Sequence, residues 1–136
     1  MDDANTAAAT VKPAPRGNPF LAALAAWIVP GLGHLILRRW GKALIFFFTV
    51  AALAATGLAL RGHIFAPTRS DPFEMLGFMA DAGAGVFFLL GRIIDNGGPD
   101  VSRAAGDYGT RFFATAGVLN LLCVLDAIEV ARGHRT

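Results

Sequence analysis

FLAALAAWIVPGLGHLILRRWGKALIFFFTVAALAATGLAL, residues 20–60, consists of two apolar runs joined by the basic turn Arg38-Arg39-Trp40-Gly41-Lys42. A bilayer core is about 30 Å thick and a helix rises about 1.5 Å per residue, so each run approaches the length of a membrane crossing. The pattern is that of a tight transmembrane hairpin, with spans over 20–37 and 43–60. Pro30-Gly31-Leu32-Gly33 falls inside the first span. Proline removes a backbone donor and clashes with the preceding turn, so this helix is expected to kink or break between Trp27 and Gly33. Freed carbonyls cannot face lipid and need cover from another helix, from water or from a side chain such as His34.

Downstream, residues 61–72 hold two prolines, two arginines, His63 and Asp71, which interrupt the apolar pattern and read as a loop outside the hydrocarbon. Residues 73–94 form a third span or, because Glu74, Asp81 and the glycines Gly77, Gly83 and Gly85 dilute the apolar character, a re-entrant or interfacial helix. A polar, turn-rich stretch over 95–108 precedes a fourth span at 110–130. The expected fold is therefore all-α, an integral membrane bundle of four transmembrane helices over residues 20–131. A flexible tail, 1–19, precedes it and a short tail, 132–136, follows. The first tail is rich in Ala and Pro and opens with Asp2-Asp3, unlike the basic start of a cleaved signal peptide.

Composition agrees with the location. The chain has 136 residues, 54 % of them hydrophobic and only 16 % charged, with a mean hydropathy of +0.52. That is more apolar material than a soluble domain of this size hides in one core. The net charge is +2, and the basic residues are spread along the apolar segments instead of forming one basic face, which argues against nucleic-acid binding. Cys123 is the single cysteine, so an intrachain disulfide and a multi-thiolate metal site are both impossible. On a four-span layout the twelve Lys and Arg divide evenly between the two sides. The density of Arg38, Arg39 and Lys42 beside two helix ends then favours a cytoplasmic turn with both termini outside.

Several residues invite a functional reading. His34, near a helix break at membrane depth, has the chemistry to hold a tetrapyrrole metal or relay protons; the simpler role is to cap carbonyls freed by Pro30. Asp81, Asn120 and Asp126 are costly in hydrocarbon, so each should face a partner or a watery cavity. An interhelical ion pair of Asp81 with Arg61 is the structural option, and cation movement through Asp81 and Asp126 the functional one. Small residues form two rows, Ala51/Ala55/Ala59 and Gly77/Ala80/Ala84, suited to close packing of neighbouring helices. Gly31-x-Gly33 and Gly83-x-Gly85 lack the preceding strand and following Lys-Ser/Thr of a phosphate loop.

Pro30-Gly31-Leu32-Gly33-His34-Leu35, with Arg38 to Leu44 after it, resembles the opening helix and turn of the TM-two domain, a small hairpin of many membrane proteins. Gly117 to Asp126 resembles the end of that domain's second helix. Leu35-Ile36 stands where the domain usually has an aromatic residue and a tyrosine, and the spacing of the two segments exceeds that of a hairpin. The whole layout, with Tyr108-Gly109-Thr110 before the last span, is similar to an uncharacterised bacterial family of small multi-pass membrane proteins. These resemblances imply no established activity; no cofactor is expected apart from the tetrapyrrole option at His34.

Together these features point to a non-enzymatic multi-pass protein, expected in a bacterial inner membrane. Its expected role is that of a helix-packing accessory or structural subunit, whose partners are the bilayer and other transmembrane helices, in a homo-oligomer or a larger complex. The alternative is a ligand- or cofactor-binding or cation- or proton-transporting protein that uses His34 or Asp81 and Asp126.

Overall fold

Apolar sequence with few side-chain donors leaves the backbone to satisfy itself, and helices do so within one segment. The structure, a computed structural model, describes residues 14–67, 71–94 and 104–134, and its regular elements are all helical. They are α1 (Pro19–Ile28), α2 (Leu32–Ile36), α3 (Trp40–Ala59), α4 (Pro72–Ala82), α5 (Val86–Ile94) and α6 (Ala104–Ala131). Helices α3 and α6, of 20 and 28 residues, are long and apolar enough to cross a membrane; the pair α4 and α5 adds a third candidate only if counted as one bent span. Residues 1–13, which hold most of the expected tail, and 95–103 lie outside the described part.

The first apolar run departs from the expected span. A straight helix would separate residues 22 and 33 by about 16 Å. Instead Gly33 lies against the Ala22 carbonyl and the Ala26 side chain, and Gly17 lies beside Leu37. The chain therefore turns back at Val29 to Gly31, and α2 descends along α1. Gly31 makes the turn possible: its φ is +83°, and a Cβ there would strike the Ala43 carbonyl. The sequence reading anticipated a break at Pro30 but not this reversal of direction.

Segment 73–94 behaves in the same way. The chain bends by 111° between α4 and α5, and Phe78 and Phe88 stack edge to face at 5.8 Å although ten residues apart. Gly85, with φ of +62°, sits at the bend, where a Cβ would collide with the Trp27 and Ile28 carbonyls. The expected four-span bundle is thus replaced by two long helices, α3 and α6, and two bent-back hairpins, α1–α2 and α4–α5.

The long helices run antiparallel. Lys42 reaches Asp126 at one end, and Gly57 abuts Gly109 and Phe113 toward the other. Helix α6 begins at Ala104, six residues earlier than expected, so Gly109 belongs to this contact and not to a loop. On α3 the buried row is Ala43, Val50, Ala54 and Gly57. The expected packing row Ala51/Ala55/Ala59 is offset from it, with Ala55 and Ala59 exposed. The row Gly77/Ala80/Ala84 is used inside the chain: the Phe65 ring covers Gly77, the Ala80 carbonyl seats on Gly117, and Ala84 joins Val50, Ala54, Phe113 and Ala116 in the core.

Because α1–α2 returns to its starting end, Arg16, the turn at residues 38–42 and the end of α6 come together; the Arg16 amide donates to the Ala131 carbonyl at 2.9 Å. The expectation that the basic turn and the termini lie on opposite sides is corrected by this contact. The other hairpin starts and ends at the opposite pole, where Gly91 packs on Ile64 and Leu58. Each half of the chain is therefore a bent-back hairpin followed by a long helix, and the two halves are inverted with respect to each other.

Three helices end in the same way. Arg38 and Arg39 amides bond the Leu35 and His34 carbonyls, Arg61 and Gly62 those of Leu58 and Gly57, and Gly133 and His134 those of Val130 and Glu129. This Schellman pattern needs a left-handed residue, usually glycine. Gly133 satisfies that rule with φ of +80°, but Arg38 and Arg61 occupy the position at +59° and +53°, at a cost of about 1 kcal/mol each relative to glycine.

Gly85→Ala should lower the thermal midpoint in detergent clearly, by the equivalent of about 2 kcal/mol or more, since strain and a carbonyl clash combine. Gly41→Ala, with open space around it, should leave the midpoint unchanged; equal midpoints for both variants would contradict the α4–α5 bend.

Candidate functional site

Two interrupted helices meeting inside the molecule create a shortage of hydrogen-bond donors, because the last carbonyls of α1 and α4 have no intrahelical partner. Asn120, near the midpoint of α6 and fully buried, resolves it. Its Nδ2 donates to the Trp27 carbonyl at 3.1 Å and to the Gly83 carbonyl at 2.9 Å. The Trp27 indole Nε1 donates in turn to the Ala82 carbonyl at 3.2 Å. One carboxamide and one indole thus cap both helix ends and bind the hairpin tips to each other. The expectation that His34 does this is not met.

His34 serves a different junction. The turn of α1–α2 places it on α2, fully buried and tilted against the Phe46 ring at 4.9 Å. Its Nε2 lies 2.8 Å from Asp126 Oδ2, and Lys42 Nζ donates to the same oxygen at 3.1 Å. A carboxylate only accepts, so Nε2 carries the proton in this arrangement. The group joins α2, α3 and α6 at the basic end of the molecule. His34 Nδ1 has no hydrogen-bond partner among the described residues. A tetrapyrrole metal would need one ring nitrogen facing an open slot. Here one nitrogen is taken by Asp126 and the whole ring is enclosed, so the cofactor reading of His34 finds no space in this conformation.

Asp81 lies on α4, toward the opposite pole from Asp126, so the two carboxylates proposed for cation movement are not brought together. Asp81 Oδ2 accepts from the Phe65 amide at 2.9 Å, while Oδ1 has no hydrogen-bond partner among the described residues. The expected pair with Arg61 is not formed. The contact instead fastens the loop after α3 onto α4, helped by the Phe65 ring over Gly77, while the His63 amide donates to Thr110 Oγ1 at 2.8 Å and ties the same loop to α6. Among the described residues, no three His, Cys, Asp or Glu side chains are grouped closely enough to hold a metal ion.

Beside the crossing of the hairpins lies a cavity of about 330 Å³, lined by Trp27, Ile28, Phe78, Gly85, Val86 and Leu89 among others. Its walls are apolar and suit hydrocarbon better than a hydrated ion.

Residues 21–136 match the model of DUF6677, a family of unknown function. The chain belongs to that family. Neither a curated protein nor a solved structure matches it. The match agrees with the similarity to an uncharacterised family and extends through both halves of the DUF6677 chain, hairpins included.

Reading residues singly missed Trp27 and Phe65. Trp27 had a usable signal, an indole three residues before a helix-breaking proline; Phe65 acts through its backbone amide, which no side-chain pattern reveals. Asp126→Ala would leave His34 buried without its acceptor and Lys42 without its partner, and is expected to cost roughly 2–4 kcal/mol. Glu129→Ala, which removes only a surface contact to His134 at 3.3 Å, should change stability little. Thermal unfolding of both variants in one detergent checks the contrast.

Proposed function

We propose that this DUF6677 protein is a non-enzymatic integral membrane protein of a bacterial inner membrane and works by packing against other transmembrane helices, as a homo-oligomer or a subunit of a larger complex. The observation that carries the reading is the outward face of α3. Only 22 % of its most apolar stretch is buried within the chain, and along its second half the exposed positions are Thr49, Ala52, Ala55, Thr56 and Ala59. Lipid tails have no preference for such a flattened face, whereas a second helix gains dispersion contacts from it. The exposed positions of the first half, Leu44, Ile45 and Phe48, are bulky and suit lipid.

The polar groups support this reading over its rival, movement of a cation or proton. Asn120, Asp81 and Asp126 each tie backbone or side chains at a different junction, and the cavity at the hairpin crossing is apolar. The rival draws on the unpartnered His34 Nδ1 and on Lys42, whose side chain is 34 % exposed. It would require flux through reconstituted vesicles that His34→Ala abolishes. The resemblance of residues 30–44 to the TM-two domain fits a packing role without adding an activity.

Ala55→Leu is expected to shift the protein to a smaller assembly in mild detergent while its thermal midpoint stays put. Unchanged migration would count against the proposal. Gly117→Leu is a control of a different kind, because Gly117 lies against the Ala80 carbonyl within the chain and its substitution should unfold the protein.

A further inference from the structure

We propose that the pole of the molecule carrying Arg16, Arg38, Arg39, Lys42 and Arg132 is a docking surface for anionic phospholipid headgroups, and that it holds this pole on the side of the membrane whose leaflet is anionic. This rests on the membrane reading above.

Charge is the first ground. The hairpin α1–α2 returns three separate stretches of chain to one end, so cations distant in sequence become neighbours. The carboxylates described at that pole are already engaged, Asp126 with His34 and Lys42 and Glu129 with His134. Arg16, Arg38, Arg39 and Arg132 make no ion pair among the described residues. Among the described residues of the other pole, Arg61, Arg92 and Arg111 are matched in number by Asp71, Glu74 and Asp107. The asymmetry has the sense of the positive-inside rule, with Arg16, the basic turn and the end of α6 on the same, cytoplasmic, side.

Height in the bilayer is the second ground. Within about one helical turn of these cations lie outward apolar side chains, Phe20 (71 % exposed), Ile36 (56 %), Trp40 (64 %) and Leu44 (54 %). Tryptophan beside arginine, above a lipid-facing apolar belt, is the composition of a headgroup layer and not that of a surface for a water-soluble partner.

Backbone strain is the third. Arg38 occupies a left-handed position, φ +59°, that Gly133 fills at the end of α6. A cation near a helix C-terminus gains from the helix dipole, but α2 has only five residues and offers little of it. A strained arginine in place of an unstrained glycine points to a use for the side chain.

The test uses the full chain in phosphatidylcholine vesicles carrying an equal minor fraction of brominated phosphatidylglycerol or brominated phosphatidylcholine, with quenching of tryptophan emission as the readout. Stronger quenching by the anionic lipid is expected, corresponding to enrichment of up to about fivefold per cation and falling with added salt. The preference should be lost in Arg38→Gly/Arg39→Gln, in which Arg38→Gly also relieves backbone strain, and kept in Arg61→Gly, the same relief at the other pole. Equal quenching by both lipids in the unmodified chain overturns the proposal. So does a preference that survives Arg38→Gly/Arg39→Gln or Trp40→Phe. Failure of the chain to float with vesicles would instead overturn the membrane reading itself.

Discussion

The carbonyls at the ends of α1 and α4 are the constraint on which the rest of the structure depends. A helix that stops inside hydrocarbon leaves acceptors that water cannot reach, and each unsatisfied group is costly. Asn120 donates to one carbonyl from each hairpin, at Trp27 and Gly83, and this shared donor sets where the two tips must meet. Once they meet on α6, Gly85 must be glycine to pass under the Trp27 carbonyl, and the long helices must run antiparallel to supply one hairpin to each pole.

The other polar side chains follow the same logic at the periphery. Asp126 gathers α2 and α3 onto α6 through His34 and Lys42. Asp81 draws the loop after α3 onto α4 through the Phe65 amide. Polar groups at this depth usually invite a transport reading, yet here each is spent where a chain reversal leaves a backbone or side-chain group in need. What the fold presents outward is apolar, flattened along half of α3 and ringed by cations at one pole. This explains why packing and lipid contact fit the molecule better than chemistry does.

Much of the fold could be read from residues alone, and the parts that could not share a cause. Apolar run lengths identified α3 and α6, and Pro30-Gly31 located the first break. A break and a reversal, however, look alike in composition: the decision between kinking onward and turning back rests on the positive φ of Gly31 and on what it passes, the Ala43 carbonyl, both tertiary facts. The same ambiguity concealed the α4–α5 hairpin, although its glycines had raised the possibility of a re-entrant segment. Counting these two segments as spans then placed the basic turn and the termini on opposite sides. Asn120 and Asp126 were recognisable as costly, but their partners, a carbonyl 93 residues away and a histidine 92 residues away, are set by the folded path and by no local pattern.

The most direct test of this path concerns its first reversal. Gly17 and Leu37 touch in the folded chain, whereas a continuous first span would put them on opposite faces of the membrane. With Cys123 replaced by alanine, Gly17→Cys/Leu37→Cys should close an intramolecular disulfide on mild oxidation in native membranes. Each single variant should also react with an impermeant maleimide from the same side. Absence of the disulfide together with labelling from opposite sides would contradict the account.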